Sequence, residues 1–242
     1  MEAFVKSDIG KARDMNQDYY YVSPPDSKVK LFILADGMGG YQGGEVASEL
    51  ATNTARNYIE SNFDSTPKDR EEILKLIKSA IEYANMVVYE KSKEDKNLEG
   101  MGTTLEICLI YNNKAYIGHV GDSRIYRLRG IFIRKLTTDH SYVEKLIKDG
   151  TITKEEALHH PKKNMLTKAL GCGIFVEPDV AVRGFLKDDI ILICSDGLTN
   201  MVDEDTIYNV VKEDIEKAPD ELIKIANKNG GYDNVTLIVI KN

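Results

Sequence analysis

Four short acidic segments recur along the chain, and three of them come at the end of an apolar run. They are centred on Asp36 in LFILADGMGG, Asp122 in AYIGHVGDSR, Asp196 in IILICSDGLTN and Asp233 in GGYDNVTLIVI, where the apolar run follows the aspartate. Apolar runs rich in Ile, Leu and Val predict buried strands, so each aspartate is expected at the rim of a sheet. Converging carboxylates repel one another, and a hard cation neutralises that repulsion. The pattern therefore predicts a divalent-metal site built from several aspartates.

Taken singly, each of these aspartates also fits a structural role. Asp-Gly is a common turn dipeptide, so Asp36 and Asp196 could shape turns, while Asp233 could form an Asx turn and Asp122 a tight hairpin. The glycines that follow Asp36 would let the backbone approach a ligand closely, and they leave the carbonyl of Gly37 free as an oxygen ligand. A phosphate cradle is the alternative for this segment, but the sequence lacks GxxxxGK[ST].

Two further polar segments could take part in the same chemistry. Arg13 lies close to Asn16 and Asp18 in a polar stretch. Its guanidinium would offer bidentate donors to a phosphate, although surface arginines are common. At Asp139-His140-Ser141 the pattern favours a helix cap, with the serine or the aspartate starting the helix, over a catalytic histidine.

Hydrophobic periodicity predicts the elements that must position these residues. Strands are expected within 2–22 on either side of a loop, at 29–35, as an antiparallel meander over 103–137, and at 176–185, 189–194 and 234–240. Helices are expected at about 44–62, around 73–88, as short pieces within 141–170, and near 203–212 and 219–229. Runs of strands separated by runs of helices predict an α+β layered domain rather than alternating βαβ units.

Composition restricts the class of protein. The chain has 242 residues and a net charge of −7, which argues against nonspecific nucleic-acid binding, although a local arginine or lysine cluster could still serve one phosphate. No apolar run approaches the ~20 residues of a membrane helix, and the N-terminus lacks a signal-peptide core. The three cysteines are expected to be small buried hydrophobes in a reducing cytosol. We therefore expect a cytoplasmic protein without a membrane partner, and nothing in the sequence requires more than a monomer.

Together the polar segments resemble the metal-dependent protein phosphatases, the type-2C (PPM) serine/threonine phosphatases, in their minimal bacterial form. Seven segments match in the order of the family and span residues 13–236. The matching segments are Arg13 with Asn16-Gln17-Asp18, Asp36-Gly37-Met38-Gly39-Gly40, Gly102-Thr103-Thr104, GHVGDSR at 118–124, Asp139-His140-Ser141, Ser195-Asp196-Gly197-Leu198, and Asp233-Asn234-Val235-Thr236.

The resemblance implies a fold and an activity. The fold would be a four-layer α-β-β-α sandwich, two antiparallel sheets flanked by helices, in one catalytic domain over 1–242 with a flap at about 142–170. The activity would be hydrolysis of phosphoserine and phosphothreonine in proteins, opposing a serine/threonine kinase. The alternatives are a pseudophosphatase that binds phosphoproteins with little turnover, and a structural calcium protein, which the absence of a D-x-[DN]-x-[DN]-G loop disfavours.

The resemblance also implies metal ligands. Asp36 would bridge two Mn²⁺ or Mg²⁺ ions, and the backbone carbonyl of Gly37 would bind one of them. Asp196 and Asp233 would complete the other ion, and Asp18 would contribute through a bound water. Oxygen ligands of this kind suit hard cations rather than zinc.

Three further roles follow from the same resemblance. Asp122, with Asp196, would form a weaker third metal site, and Arg13 would hold the substrate phosphate. Eukaryotic members often carry a histidine, proposed as a general acid, where this chain has Met38. Because methionine cannot donate a proton usefully, metal-bound water or His140 becomes the candidate source of the leaving-group proton.

Overall fold

The structure, a computed structural model, describes residues 1–39 and 43–242. Gly40, which closes the glycine-rich segment after Asp36, lies outside the described residues. The strands in this part of the chain are β1 Glu2–Asp8, β2 Asp18–Val22, β3 Lys30–Met38, β4 Gly102–Thr103, β5 Leu105–Tyr111, β6 Lys114–Val120, β7 Arg124–Arg129, β8 Phe132–Lys135, β9 Asp179–Gly184, β10 Ile190–Cys194 and β11 Val235–Lys241. The helices are α1 Gly43–Asn62, α2 Arg70–Glu94, α3 Tyr142–Lys148, α4 Lys154–Leu158, α5 Asp196–Thr199, α6 Glu204–Glu213 and α7 Ala218–Lys228.

The strands form two antiparallel sheets. The first sheet has the order β1-β11-β10-β7-β8, and the second has the order β2-β3-β5-β6-β9, with β4 paired to β3. An apolar core fills the space between the sheets, drawn from both inner faces: Phe32, Leu34, Cys108, Ile117, Ile125, Ile191, Ile193 and Ile238. The sheets therefore pack face to face, as in a β-sandwich.

Helices cover both outer faces of this sandwich. Buried residues of α1 and α2 form one core with the second sheet, and buried residues of α6 and α7 form another with the first sheet. In α2 the buried residues follow helical spacing, and the side chain of Asp69 caps the helix by accepting from the amides of Glu71 and Glu72. The predicted α-β-β-α sandwich is thus confirmed.

The predicted meander over 103–137 is wrong in one respect. β5 and β6 pair in the second sheet, whereas β7 and β8 pair in the first, so the chain changes sheet between Val120 and Arg124. Gly121 makes this passage with a φ of +119°, where glycine is favoured. Asp122 therefore does not shape a hairpin. Turn residues mark the end of a strand, but they do not specify which sheet the next strand joins.

Two smaller predictions also need correction. β3 continues to Met38 instead of ending at residue 35, because Asp36 pairs with β2 and Gly37 pairs with β4. Cys108 and Cys194 are buried as predicted, but Cys172 is exposed in the turn that follows Leu170.

Among the described residues, no helix combines the length and the apolar character that crossing a bilayer requires.

Candidate metal and phosphate site

The ends of strands from both sheets surround a cavity of about 200 Å³. Six of the seven predicted site residues line it: Arg13, Asp36, Gly37, Asp122, Asp196 and Asp233. Met38, Gly39, Gln17 and Thr104 complete the wall on the side of the second sheet, and Asn164 and Leu166 reach it from the segment predicted as a flap. The seventh predicted residue, Asp18, does not line the cavity.

Asp18 lies beside Asp36 on the neighbouring strand, since the two are register partners of β2 and β3. It is 8% exposed, and its Oδ2 accepts a hydrogen bond from Ser195 Oγ at 2.8 Å. Its Oδ1 is buried and accepts no hydrogen bond from the described residues. A buried carboxylate oxygen without a donor marks a place where a further group is needed.

Thr104 fixes Asp36 to the second sheet. Its hydroxyl accepts a hydrogen bond from the backbone N–H of Asp36 at 2.9 Å, and its own N–H donates to the carbonyl of Asp36 at 2.9 Å. The next residue, Gly37, approaches other backbone so closely that an added Cβ would lie 2.0 Å from the carbonyl oxygen of Gly44. Position 37 therefore needs a glycine, which the Asp36-Gly37 dipeptide supplies.

Asp196 and Asp233 come from adjacent strands of the first sheet. Asp196 begins α5 directly after β10, and its Oδ2 accepts from Asn200 Nδ2 at 2.9 Å. Asp233 precedes β11 and pairs with Arg13, whose Nη2 lies 2.9 Å from Asp233 Oδ2. Because the Arg13 side chain is 51% exposed, its guanidinium stands at the open rim of the cavity.

Asp122 is held through the backbone of its neighbour. The Nδ1 atom of His140 accepts a hydrogen bond from the N–H of Gly121 at 3.1 Å, and the N–H of His140 donates to the carbonyl of Gly121 at 2.7 Å. The ring of His140 stacks on that of His119 with centroids 4.5 Å apart. His140 thus supports the turn that carries Asp122.

These contacts argue against His140 as the general acid. It is 8% exposed and is not among the residues that line the cavity. Burial, followed by the nearby His119, lowers its pKa to about 4, so the ring is neutral at pH 7. The predicted cap is confirmed at the next residue, since Ser141 Oγ accepts from the N–H of Glu144.

The aspartates of the cavity destabilise one another as carboxylates. Burial raises the pKa of Asp36 well above its usual range, and Asp18, Asp196 and Asp122 add to the effect. Burial also raises the pKa of Asp18 to about 7, that of Asp122 to about 8 and that of Asp196 to about 6, with neighbouring carboxylates contributing in each case. Bound cations would remove this penalty by neutralising the charge.

The donors fit a hard divalent cation in type. All are carboxylate or carbonyl oxygens, which Mg²⁺ and Mn²⁺ prefer. Within residues 1–39 and 43–242, however, no three acidic, histidine or cysteine side chains are already arranged around one point as a ligand set. Three of these carboxylates instead accept hydrogen bonds from other side chains: Asp18 from Ser195, Asp196 from Asn200, and Asp233 from Arg13.

Asn234 is a positioning residue whose role the sequence did not indicate. Its Oδ1 accepts from the N–H of Gln17 at 2.8 Å, and its Nδ2 donates to the carbonyls of Ile9 and Met15 at 2.9 Å. These bonds tie the loop that carries Arg13 to the start of β11. The Asp233-Asn234 dipeptide draws attention to Asn234 in the sequence, but it does not indicate which backbone groups the side chain binds.

The chain is similar to known proteins of one family. The family model described as protein phosphatase 2C matches residues 11–233. The chain is 38% identical over 245 residues to protein phosphatase PhpP of Streptococcus pneumoniae, covering 99% of this chain and 97% of that protein. The structure of the S. agalactiae serine/threonine phosphatase superposes with a TM-score of 0.90 at 37% identity, covering 100% of this chain and 99% of that one. The catalytic domain of the serine/threonine phosphatase PstP in complex with two manganese ions has a TM-score of 0.85 at 33% identity, covering 98% and 96%.

Proposed function

Because the chain belongs to the protein phosphatase 2C family, we propose that its acidic cavity binds two divalent cations and is where phosphoserine and phosphothreonine in proteins are hydrolysed. The activity itself is that of a metal-dependent serine/threonine protein phosphatase, a hydrolase that acts on phosphoproteins. One observation supports the assignment of the site above all others. Four aspartates with raised pKa values lie in or directly beneath one cavity that an exposed arginine also lines.

The proposed ligand assignment is the one implied by the family, and the gathering of these carboxylates around one cavity supports it. Asp36, whose pKa is raised by burial and by all four neighbouring aspartates, would bridge the two ions, and the carbonyl of Gly37 would bind one of them. Asp196 and Asp233 would hold the other ion, and the buried Asp18 would contribute through a water. The two manganese ions of the PstP catalytic domain support Mn²⁺, and Mg²⁺ suits the same oxygens. When bound, the ions supply Lewis-acid activation of water and of the phosphoryl oxygens.

The chain's own residues bind and orient the substrate. Arg13 exchanges its contact with Asp233 for the phosphate, to which a guanidinium donates two parallel hydrogen bonds. In the transition state the same fork offsets the charge that develops on the phosphoryl oxygens. Asn234 contributes indirectly, because it holds the loop that places Arg13 at the rim.

We propose a third, weaker ion between Asp122 and Asp196. Burial and the charge of Asp196 together raise the pKa of Asp122 to about 8, and both side chains face the cavity. A cation between them would stabilise the ionised pair. Because Asp122 is not a proposed ligand of the two principal ions, its removal would leave those two ions in place.

The whole chain is proposed to act as one catalytic domain over residues 1–242. Residues 142–170 form its flap, since Asn164 and Leu166 extend from it to the cavity. The substrates are proposed to be proteins phosphorylated by a serine/threonine kinase, and the protein is proposed to act as a monomer. The pseudophosphatase alternative is not favoured, because none of the proposed metal ligands is replaced.

Phosphate release from a phosphothreonine peptide tests this function. We expect turnover with Mn²⁺, its loss with a chelator, and its loss in Asp36→Asn even when Mn²⁺ is saturating. The matched control is Asp205→Asn, which removes an exposed carboxylate from α6 and should leave turnover unchanged. Wild-type protein that binds Mn²⁺ but releases no phosphate would exclude the enzyme and favour the phosphoprotein-binding alternative.

A further inference from the structure

Four arginines gather where one edge of the first sheet lies beside one edge of the second. Arg127 and Arg129 come from β7, Arg134 from the edge strand β8, and Arg183 from the edge strand β9. Arg127 Nη1 and Arg129 Nη2 both donate to the carbonyl of Gly184, at 3.1 and 3.2 Å. We call these four residues the arginine cluster, and they belong to neither the cavity nor its support.

The positive charges of the arginine cluster are poorly balanced. Arg129 binds Asp189 through two hydrogen bonds of 2.7 and 2.6 Å, but Arg127, Arg134 and Arg183 form no ion pair with any residue that the structure describes. Arg127 and Arg134 are direct cross-strand partners, a placement that is unfavourable for like charges. Burial lowers the pKa of Arg127, and Arg129, Arg134 and Arg183 lower it further. Its Nε is buried and donates to none of the described residues.

Two apolar side chains stand next to this charge. Ile131 and Phe132, at the turn between β7 and β8, are 78% and 70% exposed. The hydroxyl of Tyr208 donates to the carbonyl of Gly130 at 3.0 Å and so fixes the turn to α6. Exposed apolar residues beside unpaired arginines are typical of a surface that binds another macromolecule.

We propose that this edge of the sandwich binds an acidic segment of a partner protein. Guanidinium groups bind carboxylates in a bidentate manner, and the edge strand β8 can pair with an extended segment through backbone hydrogen bonds. Acidic side chains of the segment would bind the arginine cluster, and an apolar neighbour would pack on Ile131 and Phe132.

Charge complementarity favours a short acidic segment over a larger polyanion. The chain as a whole carries a net charge of −7, so an anionic bilayer or a nucleic acid would be repelled by the remaining surface. A short segment meets only the local positive field, because salt screens charges beyond about 8 Å. The proposal goes beyond hydrolysis and does not depend on it. Asp122 lies just before the start of β7 and Arg129 lies at its far end, roughly 17 Å from Arg124 by strand rise, so an occupant leaves the cavity open.

Fluorescence anisotropy with a labelled decapeptide of alternating glutamate and valine tests the proposal. We expect wild-type protein to bind it and the charge-reversed variant Arg134→Glu/Arg183→Glu to bind about tenfold more weakly or less. The affinity should also fall as salt rises from about 50 to about 300 mM. The matched control is Lys93→Glu/Lys228→Glu, which makes the same change in net charge on exposed helix residues and should bind as wild type does.

Two results would overturn the proposal. One is equal peptide affinity in wild-type protein and in both charge-reversed variants. The other is binding to vesicles with about 30% phosphatidylserine but not to the peptide, which would assign the edge to a membrane surface. If the charge-reversed variant does not fold by circular dichroism, Arg134→Ala/Arg183→Ala replaces it, with about a threefold loss expected.

Discussion

At the scale of single residues, Arg13 is the group that must change partners. In the structure its guanidinium lies 2.9 Å from Asp233, a proposed metal ligand, and half of the side chain faces solvent. An ion pair this exposed contributes little stability, typically about 0–1 kcal/mol, so giving it up for a phosphate costs little. The pair therefore holds the guanidinium close to where the phosphate would bind.

Replacement of Arg13 with alanine should separate substrate binding from metal binding. We expect kcat/KM for a phosphothreonine peptide to fall about 10- to 100-fold, mainly through KM, because the variant loses charge-assisted hydrogen bonds to the phosphate. Mn²⁺ affinity should stay within about threefold of wild type, since removing a cation beside Asp233 does not remove a ligand. Steady-state kinetics and calorimetric titration of Mn²⁺ measure the two quantities.

Lys11→Ala is the matched control for Arg13→Ala, because it removes a nearby exposed positive charge outside the cavity. It should change neither kinetics nor Mn²⁺ affinity. Equal losses of kcat/KM and of Mn²⁺ affinity in Arg13→Ala would contradict a phosphate-binding role.

The residues that define the cavity could be predicted from the sequence, whereas those that support them could not. Each of three aspartates, Asp36, Asp122 and Asp196, follows an apolar run in the sequence, and that position marks it as a candidate site residue. Asn234 and Thr104 act through hydrogen bonds to backbone atoms that are distant in sequence, and no local pattern encodes such partners. The assignment of each aspartate to a particular ion stays a prediction.

At the scale of elements, Gly121 sets the passage between the two sheets. A Cβ at this position would lie 2.5 Å from Cβ and Cγ2 of Thr104, and the φ of +119° is unfavourable for other residues. Gly121→Ala should therefore lower the free energy of unfolding by about 2–5 kcal/mol and displace Asp122. Gly130→Ala is the control, because its φ is also positive but its Cβ would meet no atom within 4 Å. Its cost should be about 1 kcal/mol, and equal costs in urea denaturation would contradict the crowded passage.

The loop that carries Arg13 depends on one buried amide. Asn234→Ala would remove the three hydrogen bonds that this amide forms with the N–H of Gln17 and the carbonyls of Ile9 and Met15, which should cost about 2–4 kcal/mol of stability. KM for the peptide should also rise, because Arg13 loses its support. The control is Asn229→Ala, which removes one exposed hydrogen bond to Met201 and should cost less than about 1 kcal/mol. Thermal denaturation and steady-state kinetics measure both effects, and an unchanged KM in a destabilised variant would limit Asn234 to a structural role.

Periodicity predicted most strands and helices, but not how the strands are distributed between sheets. The turn signal at Gly121-Asp122 is the same whether the chain folds back beside β6 or crosses to the other sheet. The inner faces of both sheets are apolar, so the hydrophobic pattern of β7 suits either one. The strand pairings and the close contact between Gly121 and Thr104 reveal the passage, and both are tertiary.

At the scale of the whole molecule, the acidic cavity makes stability depend on both pH and metal. Folded-state pKa values of about 7 for Asp18, 8 for Asp122 and 6 for Asp196 lie above the ordinary value of 3.8. Between about pH 4 and pH 8 the folded protein without metal therefore binds more protons than the unfolded chain does. The contribution of these groups to stability is present at low pH and is lost as the pH rises through this window.

Protein treated with a chelator should accordingly melt at lower temperature as the pH is raised from about 5 to about 8. Saturating Mn²⁺ should stabilise the protein more at pH 8 than at pH 5, because metal binding at low pH must displace protons. Asp122→Asn removes one of the raised groups and should reduce the slope in the chelated state. Melting temperatures that rise with pH in the chelator, in wild type and variant alike, would contradict the proposed repulsion.

The layered class of the whole molecule could be predicted from runs of strands and helices, but the four-layer arrangement came from the family resemblance. Periodicity shows that a strand such as β10 is buried on both faces, and it does not show that one face meets a sheet and the other helices. The arginine cluster could not be predicted from the sequence either. Arg183 comes close to Arg127 and Arg129 only because the edges of the two sheets lie side by side.

The most direct test of the binuclear site is a manganese anomalous difference map from crystals of the protein grown with Mn²⁺. We predict two strong peaks in the cavity, both in contact with the carboxylate of Asp36, with a weaker third peak between Asp122 and Asp196. The two strong peaks should disappear together in Asp36→Asn, whereas Asp122→Asn should remove the third peak alone. A single peak in the wild-type cavity, or two peaks that survive in Asp36→Asn, would contradict the proposal that Asp36 bridges two ions.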